Sequence, residues 1–178
     1  MWCFLLTLLC FVLNDKEASE VLAEACEYNG GAEGIEVKGG RLVMFCEDAM
    51  AGTETIHQGW VFPVTRPSGA PAEETVTEIY LRLGDGYRPT DLAFTPNGDL
   101  LVLERMHRGK ATGMRIEVLP KRFLDKAFSS KGEAREVFVP ARVAEVMQSP
   151  TSEIDNMEGL ALGEPAGATA LDCFLFFC

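Results

Sequence analysis

Three acidic residues, Glu33, Asp91 and Glu158, each stand at the head of a short apolar run, which after the first two leads through a turn to a second one. Around Glu158 the acids are denser, because Asp155-Asn156-Met157-Glu158 places three polar groups in four residues. Carboxylate oxygens are the hard donors that Ca²⁺ takes, and its coordination by about six to eight oxygens needs several of them in one place. Converged on one point, Glu33, Asp91, Asp155 and Glu158 would be the ligands of a calcium site. Kept apart, they would cap strand entries by accepting hydrogen bonds from turn amides. Arg105, which follows Glu104, is the candidate cation. Its planar fork can clamp a phosphate or carboxylate, or it can make a surface ion pair of little weight.

Other catalytic signatures are missing. Ser68 sits in Arg66-Pro-Ser-Gly-Ala70, without the first Gly of a nucleophile elbow. Lys110 has Glu104 where a phosphate-binding loop needs its first Gly. The two histidines, His57 and His107, are too few for a His-rich zinc site, and no CxxC occurs.

The elements that must position these residues read as strands. Period-2 and short apolar runs, bounded by Gly, Pro, Asn and Asp, predict strands over Arg41–Cys46, Gly59–Val64, Thr75–Leu83, Leu100–Glu104, Arg115–Leu119 and Glu136–Pro140. Leu124–Phe128 and Ala141–Met147 are read as short helical turns. One hairpin recurs. Its first copy runs from Asn29-Gly-Gly-Ala-Glu33 through Gly39-Gly40 to Arg41–Glu47, and its second from Pro89-Thr-Asp91 through Pro96-Asn-Gly98 to Asp99–Glu104. A third opens at Asp155–Leu162 and then loses the pattern. The offsets between the three acids are 58 and 67 residues, long for a propeller blade unless loops absorb the excess. Repetition of the same hairpin favours an all-β, partial β-propeller of about three blade-like antiparallel units, not closed into a ring.

These motifs also resemble a family. Pro89-Thr-Asp-Leu-Ala-Phe-Thr-Pro-Asn-Gly-Asp-Leu-Leu-Val-Leu-Glu-Arg105, followed by Gly113-Met-Arg-Ile-Glu-Val118, is similar to the phytase-like domain of proteins with "esterase-like activity of phytase". Asp155-Asn-Met-Glu-Gly159 resembles its DNxEG segment and Asn29-Gly-Gly-Ala-Glu33 its NxGxE segment. The resemblance implies an exported, periplasmic or secreted propeller that hydrolyses an ester or phosphoester. In that reading Glu33, Asp91, Asp155 and Glu158 are ligands or bases, Asp155 and Glu158 act in catalysis, and Arg105 holds the anionic substrate. Family members are longer at both ends, so the alternatives are a non-catalytic binding module and an inactive piece of a longer propeller.

Composition bounds the partners. The 178 residues are 47% hydrophobic and 24% charged, with a net charge of −11. That excess of acid argues against nucleic acid, whose binding rests on basic surface. Residues 106–142 hold nine Lys and Arg against four acids, a run read as a solvated face with its cations on outward strand positions. Residues 1–20 contain the uncharged run Trp2–Leu13, too short for a bilayer span of about 20 residues and without the basic start of a signal peptide. Residues 21–178 are assigned to the propeller domain, which stops on the apolar Leu171–Cys178 and reads as incomplete at its C-terminus. Unmatched apolar ends of this kind predict self-association. Of the six cysteines, Cys26 and Cys46 could bridge in an oxidising compartment, but buried free thiols are the expected state.

Overall fold

The structure is a computed structural model describing residues 26, 31–63, 77–84, 86–129, 136–149, 157–163 and 172–177. Residues 1–20, including the Trp2–Leu13 run, and Asp155 lie outside these. Apart from one short helix the described chain is all-β. Sheet 1 is an antiparallel meander of β1 (Ala32–Lys38), β2 (Arg41–Ala49), β3 (Ile56–Pro63) and β4 (Thr77–Arg82). Sheet 2 repeats the path with β5 (Tyr87–Phe94), β6 (Leu100–Arg108) and β7 (Ala111–Leu119). After β7 the chain forms α1 (Lys121–Ser129), then β8 (Val137–Phe138), then β9 (Ala141–Met147). β9 completes sheet 2 antiparallel to β7, whereas β8 crosses back and pairs parallel with β4 of sheet 1. Sheet 3 is the hairpin of β10 (Met157–Gly163) and β11 (Asp172–Phe177).

Local chemistry accounts for the turns. Gly39 and Gly40 take φ of 61° and 78° between β1 and β2, and Gly98 takes 92° in the Thr95–Asp99 turn between β5 and β6. These left-handed values cost little only for Gly. Asp99 also starts the helix, because its Oδ1 accepts the Lys121 amide at 2.8 Å and so satisfies an otherwise open donor at the head of α1.

Packing explains why the strands of sheet 2 read as unbroken apolar runs. Along β6, Leu100 and Val102 face sheet 1, while Leu101 and Leu103 face sheet 3. On the first side they meet Val43, Phe45, Ile79 and Leu81, in a cluster that also takes in Leu124 of α1 and Phe138 of β8. On the second side they meet Leu160 of β10. A sheet covered on both faces has no reason to alternate.

Four expectations change. Ala141–Met147 is a strand, not a helical turn. The third hairpin does not lose the pattern, because its second strand is Asp172–Phe177 after a longer connection. Cys26 and Cys46 form a disulfide rather than remaining free thiols. Arg115, counted among outward-facing cations, is 2% exposed and lies between sheets 1 and 2.

Candidate functional site at the strand-entry rim

The first strands of the three sheets lie side by side, β1 against β5 and β5 against β10. Each carries a β-bulge, between the first and third residues of β1 and β10 and between the third and fifth of β5. The extra residue is Glu33 in β1, Thr90 in β5 and Glu158 in β10. Bulges re-aim a side chain and end regular pairing, which suits the rim of a site. The bulges also correct the alignment of the three hairpins. The counterpart of Glu33 and Glu158 is Thr90, whose hydroxyl donates to the Leu103 carbonyl within the sheet. Asp91 falls one residue later, level with Gly34 and Gly159.

Asp91 links two sheets. Its Oδ1 accepts the Leu92 amide at 2.8 Å, and its Oδ2 accepts the Leu160 amide of β10 at 2.6 Å. Burial pushes its carboxyl up to about 6 despite those two bonds, with Glu36 adding a further upward push. Asp91 thus caps an amide beside the β5 bulge and acts as a staple from sheet 2 to sheet 3. Glu33 is half-buried on β1 and has interactions of its own. The Glu158 side chain and Asp155 lie outside the described residues.

Arg105 does not pair with Glu104, since adjacent strand residues point to opposite faces. Its Nη2 meets Glu47 Oε1 at 3.1 Å, joining β6 to β2. The two occupy matching places in their hairpins, each one residue after the partner of the bulge start, Cys46 and Glu104. Arg88 of β5 adds a bond of 2.6 Å to Asp48 and a longer approach of 3.9 Å to Glu47. The rim therefore carries two guanidiniums held by two carboxylates, and the disulfide from Cys26 fixes Cys46, the residue beside Glu47.

Beneath the rim, between sheets 1 and 2, lies a polar group that the sequence pattern did not reveal. Arg115 Nε donates to Glu104 Oε2 at 2.5 Å and approaches Glu117 Oε1 at 3.3 Å, all three buried. The guanidinium stacks on the Tyr87 ring at 3.9 Å, and Tyr87 donates its hydroxyl to Glu145 at 2.7 Å. Burial pushes Glu104 up to about 8 against the pull of Arg115, and pushes Tyr87 up to about 12. Gly84 makes the room, since a Cβ there would stand 2.5 Å from Arg115 Nη1. The missed signal is parity: Glu104 shares its strand face with Leu100 and Val102. His57 is also buried here against the backbone of Cys46, Glu47 and Tyr87, and burial lowers its pKa so that it is neutral at pH 7.

Among the described residues no group of three or more His, Cys, Asp or Glu is placed to hold a metal ion. Each Asp91 oxygen already accepts one amide, so a cation there would share those oxygens with the backbone.

Sheets built on one repeated antiparallel hairpin, with their first strands adjacent, make this an all-β protein. The chain belongs to the phytase-like family described by the esterase-like activity of phytase, whose model matches residues 12–171. No curated protein and no solved structure is detectably similar to it. No helix among the described residues is long and apolar enough to cross a membrane.

Proposed function

We propose that the chain is part of a phytase-like propeller that hydrolyses an ester or phosphoester at the strand-entry rim. The observation that supports this reading is the rim itself, where Arg88 and Arg105 stand beside the bulged first strands in a chain of net charge −11. In an acidic molecule, an anionic substrate needs a local cation to approach, and a guanidinium offers paired donors to phosphate or carboxylate oxygens. The substrate anion would compete with Glu47 for Arg105. Asp155 and Glu158 would act as general bases that take a proton from the attacking water, while Arg105 steadies the charge that develops on the reacting group. The disulfide and the family both fit an exported protein, periplasmic or secreted, because such bonds persist in oxidising compartments.

The test is turnover of p-nitrophenyl butyrate and p-nitrophenyl phosphate, with and without Ca²⁺. Arg105→Leu should raise KM at least about tenfold for the phosphate, and Glu158→Gln should lower kcat by roughly a hundredfold or more. A Ca²⁺ requirement abolished by Asp155→Asn would extend the site to a cation held jointly by Glu33, Asp91, Asp155 and Glu158. No turnover above the Asp155→Asn, Glu158→Gln background would overturn the reading. It would favour a non-catalytic binding module, for which the sheet-to-sheet roles of Asp91 and Arg105 already speak.

A further inference from the structure

We infer that β9 is the contact strand of a two-fold dimer, two copies pairing β9 against β9 antiparallel about the Val143–Ala144 step. β9 is the outer strand of sheet 2, with β7 on one side and no strand on the other among the described residues. All seven of its residues are exposed, including the large apolar Val143, Val146 and Met147, with Val139 exposed just ahead of it. An open strand edge presents unpaired N–H and C=O groups that template a further strand.

The strand's own sequence selects a second copy as the occupant. The two-fold register sets Ala141 opposite the partner's Val146, Arg142 opposite the partner's Glu145, and Val143 opposite the partner's Ala144. Opposite charges then face each other twice, and every valine meets a small residue. Residues directly opposite share a sheet face, so Arg142 and Glu145 must point the same way. On a regular strand a separation of three residues forbids that. The bulge at Val143, between the pairs Ile116↔Ala144 and Glu117↔Arg142, restores it. Both side chains consequently lie on the face of Arg115 and Glu117, where Arg142 Nη1 meets its own Glu145 at 2.7 Å. Pairing would add the partner's carboxylate to each guanidinium.

Sedimentation equilibrium on the intact chain in about 0.15 M salt tests this, since exposed charges are screened only in part there. The average mass should climb from 19.5 kDa towards twice that value with concentration. Arg142→Glu should weaken the dimer at least about tenfold, because the symmetry repeats each like-charge pair. Adding Glu145→Arg should restore affinity to within about threefold. Val143→Lys changes an exposed side chain outside those pairs and sets two lysines beside the axis. It should weaken association by a comparable factor, with a thermal melt unchanged at dilutions where the parent is monomeric. A mass of one chain at every concentration, or a dimer indifferent to Arg142→Glu and Val143→Lys, would overturn the proposal.

Discussion

A carboxylate that accepts amide bonds at both oxygens would ordinarily sit low on the pH scale, yet burial wins at Asp91 and holds it near 6. Between the ordinary aspartate value of about 3.9 and that level, the folded chain binds more protons than the unfolded one. Its contribution to stability therefore increases as pH falls from 7 towards 4. Glu104 acts in the same direction from about 8 downward. His57 opposes both, since a lowered folded pKa removes stability as pH drops below about 6.5. Urea titrations from pH 8 to 5 separate them. Asp91→Asn should abolish the part of the rise below 6, on the order of 1 kcal/mol after solvent screening, and leave the part above it. An unaltered profile would mean that Asp91 is not the group responsible. At Gly98 the positive φ was legible from Asn97-Gly98, and Gly98→Val should cost about 1–3 kcal/mol in the same titration. The one-residue displacement of Asp91 from the place of Glu33 was not legible. A one-residue bulge leaves no mark on spacing when the flanking loops also vary in length.

The pair formed by β6 and β7 carries its charge where a core residue would stand. Arg115→Met should cost about 1–3 kcal/mol, because it leaves the buried Glu104 carboxyl without the donor that satisfies it. Replacing both residues by Met should recover most of that loss, and a thermal melt of the three proteins decides the point. The Cys26–Cys46 bridge spans a separation of 20 residues and should contribute about 3 kcal/mol. Cys46→Ala or reduction should therefore lower the melting temperature by several degrees. Element reading succeeded where turn chemistry and apolar runs agreed, as in β2 and β6. It failed at Ala141–Met147 for a physical reason. The bulge at Val143 breaks the two-residue alternation, and an edge strand with every residue exposed has no buried face to impose it. Buried ions such as Arg115 escape for the converse reason, since on composition alone a cation among apolar residues reads as solvated.

At the scale of the molecule, stacking does what no single sheet can. The strands β5, β6 and β7 of sheet 2 bury residues on both faces, and Asp91 and Arg105, expected as site residues, serve as links from that sheet to sheets 3 and 1. The all-β class and the repeated hairpin were readable because the same turn residues recur. The crossing of β8 was not, since two residues carry no periodicity. That crossing bears on how the chain is made. β4 leaves the ribosome early, but the strand that flanks it, Val137–Phe138, emerges only after all of β5, β6, β7 and α1. Until then the nascent chain holds an unfinished edge beside Ile79 and Leu81. The first sheet must wait for the second, a non-local dependence that slows folding and lengthens the interval in which a chaperone is useful.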